Sequence, residues 1–240
     1  MRRLQRLPLS PATLAFLDKR TASVAEASDS KAEAERLWSR QDNKAFHEVR
    51  SVLHEMASGI ERCMYCEDSQ GTAIDHFWPK AVYPDRAYSW ANYLLACTLC
   101  NSNFKREQFP LDHMGQPLLL DPTAEDPLEH LAFSPSTGKY SGISPKGECS
   151  IQVFGLFRAS LEKGRKSAWD VLEILLPVYS EKRQAGDSAK AQDIEQAVRH
   201  YPFSGVLAAL VRIVQGPDAV VVSLACRSAI QQYPEILTWV

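Results

Sequence analysis

Two Cys-x-x-Cys pairs, Cys63/Cys66 and Cys97/Cys100, hold four of the six cysteines of this chain, and Asp75-His76 lies between them. Each such pair presents two thiolates on a tight turn, the arrangement by which proteins hold a tetrahedral structural zinc. Free cysteine is also a common core residue, but two such pairs among six cysteines argue against four unrelated core thiols. A redox pair needs a helix start and leaves the second pair unexplained. Structural Zn²⁺ on Cys63, Cys66, Cys97 and Cys100 is therefore the expectation, with Cys149 and Cys226 as core residues.

Inside that frame stand Asp75, His76 and Asn92, and just beyond it Asn101, Asn103 and Lys105. An imidazole near its ordinary pKa accepts a proton at neutral pH. Carboxylate and amide oxygens suit a hard divalent cation that keeps several waters. Together these groups could activate water and stabilise a phosphodiester under attack. Singly each has a bland reading: Asn92 as a helix cap, Lys80 as a solvated charge, and Phe77, Trp78, Trp90 and Tyr93 as core. Their joint occurrence, in order, within the cysteine frame carries the functional reading.

The runs IDHFWPK, WANYLLAC and CTLCNSNFK resemble the HNH endonucleases, over residues 63–110. The resemblance implies a ββα-metal core braced by a four-cysteine zinc site. It implies His76 as general base, Asp75 and Asn101 as ligands of a catalytic metal, and Asn92 holding the loop that carries the base. Asn101 stands where many members have a second histidine, and oxygen-only ligation favours Mg²⁺ or Mn²⁺ over Zn²⁺ or Ni²⁺. Asn103, within a helical turn, is the alternative ligand. Lys105 and Arg106 are placed to reach phosphate oxygens. A narrower resemblance rests on the MRRLQR start, the CxYCE run and LLLDPTAEDPLEHLAF: these are similar to the HNH subunit of Septu-type and retron-linked anti-phage systems. It implies DNA cleavage regulated by a partner ATPase of the ABC/SMC type. No P-loop pattern occurs in these residues, so any ATP chemistry must come from elsewhere. The competing expectations are a stand-alone restriction or homing-type nuclease and a non-catalytic zinc-stapled assembly module.

The elements that must position these residues can be drawn from periodicity. Residues 1–62 read as a basic arm and helical preamble, with one long helix or two over 31–62 along Leu37, Phe46, Val49, Leu53, Met56 and Ile60. Residues 63–110 are the nuclease module, with turns at Asp68 to Gly71, Pro79 and Pro84. Residues 111–150 form an irregular connector with a hairpin around Thr137-Gly138-Lys139. Residues 151–240 are helical, with a stripe at Leu161, Ala168, Leu172, Leu175 and Tyr179. Pro177 should kink or end that helix, and Gly205–Val214 and Ala219–Ile230 should be further helices. The fold class expected is mostly helical α+β, the central ββα-metal module flanked by N- and C-terminal helices.

The composition, 45% hydrophobic and 23% charged with net charge −2, is that of an ordinary globular protein rather than a strongly basic nucleic-acid binder. In the central module Arg62, Lys80, Arg86, Lys105 and Arg106 face Glu61, Glu67, Asp68, Asp75, Asp85 and Glu107, so it should hold DNA poorly alone. The basic arm and the group Arg158, Lys163, Arg165 and Lys166 are candidate supplements, the latter equally readable as a solvated helix face. No secretory signal or membrane-spanning run is visible, and Cys-x-x-Cys pairs used for metal fit a cytoplasmic location.

Overall fold

The computed structural model describes residues 1–239. Each of the first three helices opens on a side-chain cap. The Ser10 hydroxyl accepts the Thr13 N–H and starts α1 (Pro11–Glu26), Asp29 starts α2 (Ser30–Trp38), and Asn43 starts α3 (Lys44–Met56). A cap at Asn43 obliges a new helix there, so the 31–62 segment makes two helices rather than one. Phe46, Val49, Leu53 and Met56 form the buried face of α3, whereas Ile60 lies past its end and is 63% exposed. Glu48 on α3 accepts the Ser10 N–H and hydroxyl at 2.6 and 2.7 Å, tying α3 to the start of α1.

The centre carries little regular structure. β1 (Ala73–His76) pairs antiparallel with β2 (Tyr93–Ala96), placing Asp75 opposite Leu94 and His76 opposite Tyr93. A π-helix, Leu99–Lys105, follows, and the Arg106 N–H closes it on the Asn101 carbonyl at 2.7 Å. In the connector, β3 (Leu131–Phe133) and β4 (Tyr140–Gly142) form the expected hairpin. The Pro- and Ser-rich run after it starts a helix that its composition hides: Ser144 caps α4 (Pro145–Val153), with Pro145 at the first position where a missing N–H costs nothing.

Among the described residues four α-helices follow: α5 (Ala159–Gln184), α6 (Ser188–His200), α7 (Ser204–Gln215) and α8 (Leu224–Gln232). α5 runs through Pro177 rather than ending there. An interior proline costs about 3 kcal/mol. Burial of Leu172, Leu176 and Tyr179 on either side, at roughly 1.5–3 kcal/mol for each apolar side chain, outweighs it. Leu176, not Leu175, lies on the buried stripe, and Arg165 shares it. α8 begins at Leu224 rather than Ala219, because a 3₁₀ turn (Ala219–Val221) intervenes and Ser223 supplies the cap. One hydrophobic cluster links all these parts, from Met1 and Leu4 through Phe46, Leu95 and Leu120 to Leu176 and Trp239. The result is a mostly helical α+β fold with two small sheets. Among the described residues no helix is long and apolar enough to cross a membrane.

Candidate metal centre and catalytic cleft

The two knuckles converge because β2 carries both. The Met64 N–H bonds the Leu95 carbonyl at 2.8 Å, seating the first pair on β2, and the second pair leaves the end of that strand. The four sulfurs of Cys63, Cys66, Cys97 and Cys100 are buried and lie within 4.8 Å of one another, Cys66 and Cys97 at 3.9 Å. Zinc–sulfur bonds of about 2.3 Å place tetrahedral sulfurs roughly 3.8 Å apart, so the cluster fits such an ion. Its chemistry asks for one too. Burial pushes the Cys63 thiol up and neighbouring sulfurs push Cys100 up, while hydrogen bonds from Cys100 and Cys63 draw Cys66 down to about 6. A divalent cation lets all four ionise together. Arg158 donates to Cys100 Sγ at 3.1 Å, placing a positive charge beside the thiolate group.

β1 and the π-helix meet at a cleft of about 240 Å³ lined by Trp38, Asp75, His76, Lys80, Asn101, Arg106 and Glu107, among others. Asp75, His76 and Asn101 thus come together. Asn103 is exposed and does not line the cleft, whereas Asn101 does. Asn92 lies behind the cleft: its Oδ1 accepts the Trp78 N–H at 2.7 Å and its amide donates to the Trp78 and Arg86 carbonyls at 3.0 and 2.9 Å. These bonds brace the loop between β1 and β2. The oxygens of Asp75, Asn101 and Glu107 are the hard donors that Mg²⁺ or Mn²⁺ accepts beside its waters.

Lys105 occupies a different place from the one its sequence position suggests. It is fully buried, with Nζ 3.2 Å from Asp75 Oδ1 and 2.6 Å from the His76 carbonyl, and does not face the opening. It acts as the counter-ion of Asp75 rather than as a phosphate contact. The Tyr65 hydroxyl donates to Asp75 Oδ2 at 2.5 Å. Burial raises the Asp75 pKa, and Lys105 and Tyr65 pull against that rise.

His76 Nε2 lies 2.9 Å from the Ala87 carbonyl. A carbonyl can only accept, so Nε2 carries the hydrogen and Nδ1 keeps its lone pair. The Trp38 ring packs on the imidazole at 4.2 Å. Burial, with Lys80 and Lys105 nearby, lowers the pKa to about 3, so the ring is neutral at ordinary pH. Trp38 is itself fixed by Arg20, whose guanidinium bonds the Leu37 and Arg40 carbonyls at the end of α2. Trp38, Tyr65 and Glu107 are the site residues that sequence reasoning missed. Only Glu107 carried a signal, two residues past Lys105 and acidic.

The supplementary basic groups are mostly engaged within the fold. Arg6 clamps the start of β2 through the Trp90, Tyr93 and Ala91 carbonyls and stacks on Trp90. Arg165 is 1% exposed and bonds the Gly138 and Leu156 carbonyls. Lys166 pairs with Asp170 at 2.6 Å. The N-terminal segment is therefore a docked strap, not a free arm. Of the group on α5, Lys163 is the one left exposed and unpaired among the described residues.

No family model matches the chain. It is similar to a Septu protein PtuB of Bacillus mycoides (strain KBAB4), 34% identical over 155 residues, which cover 51% of this chain and 52% of that protein. It is also similar to a Septu protein PtuB of Bacillus thuringiensis, 28% identical over 113 residues, covering 45% and 40% of the two chains. The chain thus spans about half the length of the curated relatives it matches.

Proposed function

We propose that this chain is a metal-dependent endonuclease of the HNH type that hydrolyses DNA phosphodiester bonds. One observation carries the reading: a neutral imidazole with a free Nδ1, a carboxylate and an amide oxygen converge in one cleft, beside a four-sulfur metal centre. An assembly module would need the cysteines but not this convergence. The similarity to Septu proteins supports a role in anti-phage defence, with an ATPase of the ABC/SMC type as regulatory partner. The balanced charge of the central module favours a nuclease that depends on such a partner over one that acts alone.

In this mechanism His76 Nδ1 takes the proton of the attacking water. Nε2–H stays on the Ala87 carbonyl, which fixes ring and tautomer. An incoming phosphate brings negative charge to the imidazole and raises its proton affinity above that of the buried, unliganded ring. Asp75 and Asn101, with Glu107 at the same opening, would hold Mg²⁺ or Mn²⁺; the ion supplies charge stabilisation at the phosphate and a less basic leaving oxygen. Lys105 favours the ionised form of the buried Asp75 against the upward pull of burial, and Asn92 and Arg6 hold the loop that positions His76.

The test is cleavage of plasmid and single-stranded DNA in Mg²⁺ or Mn²⁺, wild type beside His76→Ala at equal zinc content. Loss of a general base should slow cutting by roughly 10²–10⁴-fold. Equal cutting by both proteins would remove His76 from the mechanism. Silence of the zinc-loaded wild type, even with an ABC/SMC-type partner present, would favour the assembly module.

A further inference from the structure

Two cations at the cleft stand apart from the basic residues around them. Lys80 and Arg106 line it together with Asp75, His76 and Asn101, and among the described residues no hydrogen bond or ion pair reaches either side chain. Their neighbours are committed elsewhere: Lys105 to Asp75, Arg158 to Cys100, Arg6 to loop carbonyls. Arg106 is unusual in a second respect. Its backbone sits at φ 49° and ψ −122°, at the end of the π-helix where its N–H closes on Asn101. That half of conformational space favours glycine, and a residue with a Cβ is strained there. A strained arginine whose guanidinium is exposed at a catalytic opening is best explained by what that guanidinium binds.

We propose that Lys80 and Arg106 form a phosphate clamp, gripping the sugar-phosphate backbone of a nucleic acid from two sides of the cleft. Lys80 reaches from the β1–β2 loop and Arg106 from the end of the π-helix, so the backbone between them lies over Asp75, His76 and Asn101. The guanidinium suits bidentate contact with phosphate oxygens, and the ammonium adds a point charge. Neither contact reads base identity, so the clamp positions the substrate and is indifferent to its sequence. The inference rests on the nuclease reading above for the identity of its ligand.

The experiment is fluorescence anisotropy of labelled single-stranded and duplex oligodeoxynucleotides, titrated across a salt series with the full-length, zinc-loaded His76→Ala protein, which binds without cutting. In that background Arg106→Gly and Lys80→Gln should each weaken binding roughly tenfold at low salt and flatten the slope of log K against log salt by about 0.7 to 0.9. Lys190→Gln, on the exposed face of α6 where it pairs with Asp193, should change neither. The melting temperature of Arg106→Gly should not fall, since glycine relaxes the backbone there, and this separates lost contact from lost fold. Unchanged affinity and slope in both clamp variants overturns the clamp, as does an equal loss in Lys190→Gln or no binding by the His76→Ala protein at all. Cleavage assays separate the two readings. His76-dependent cutting that ignores Lys80 and Arg106 keeps the nuclease and discards the clamp. Clamp-dependent binding without any cutting by the wild type does the reverse.

Discussion

The central module and the α5–α8 region are held together by different physics. In the centre the two strands are four residues each, too short to hold a geometry by ladder bonds alone. Position is set instead by single polar atoms: four sulfurs, the Asn92 amide, the Arg6 guanidinium and the Lys105 ammonium. In α5–α8 it is set by apolar stripes: Ala168, Leu172 and Leu176 of α5 are buried, as are Ile194, Leu210 and Ile230 of the helices that pack on it. The proposed nuclease site, which would place a base and a metal within fractions of an ångström, needs the directional kind of restraint. A supporting wall needs only volume and periodicity, and tolerates hydrophobic exchange. Substitutions should therefore cost most where one atom has one partner.

The largest effect expected is at the cysteines. Structural zinc contributes about 10–16 kcal/mol to the folding of isolated zinc-finger peptides. Cys63→Ser should lose the zinc by elemental analysis and lower the melting temperature sharply. Chelation of the wild type should abolish the near-ultraviolet signal of the centre, where Tyr65 stacks on Phe154 at 4.0 Å, before the helical far-ultraviolet signal declines. Simultaneous loss of both would mean that the shared hydrophobic cluster welds the two regions into one cooperative unit. Cys63→Ser with unchanged stability would remove the structural-zinc reading outright.

Next in size is Lys105→Met. Lys105 and Asp75 are 0% and 4% exposed, and breaking a buried pair from one side leaves an uncompensated charge, worth about 3–5 kcal/mol. Denaturant unfolding should show that loss, and adding Asp75→Asn should recover most of it, because the neutral pair no longer strands a carboxylate. If Lys105→Met is neutral in stability but impairs cutting, then Lys105 turns toward substrate and the phosphate role suggested by its sequence position returns.

The same division explains what the sequence disclosed. Cysteine spacing translates directly into a thiol cluster, since a knuckle is a local structure, and residue types in the connector marked the turn between β3 and β4. Periodicity announced helices on both flanks. Depth was not legible: Lys105 follows Asn101 by one helical turn, which fixes its face but not that it is sealed beneath Asp75. Nor was Trp38, whose contact with His76 joins distant segments through the Arg20 bonds to the end of α2. The π-helix and the left-handed Arg106 escaped because nothing in CNSNFKR forbids an ordinary α-turn and no glycine marks the strain. In α5 a local rule failed for the opposite reason, tertiary burial overriding Pro177.

That override offers the smallest and most discriminating prediction. Pro177 deprives the Glu173 carbonyl of its helical donor, and alanine would restore that bond, worth about 0.5–1.5 kcal/mol net. It would also relieve the clash with the preceding turn. Against this, alanine frees the unfolded chain by about 0.4–1 kcal/mol. Pro177→Ala should therefore stabilise the protein by about 1–3 kcal/mol, read as a higher denaturant midpoint at unchanged slope. A gain fits a helical region governed by burial, where the proline is tolerated at a cost. A loss would mean that the half-buried pyrrolidine ring packs as specifically as the Asn92 amide bonds, and the contrast between wall and site would narrow to one of degree.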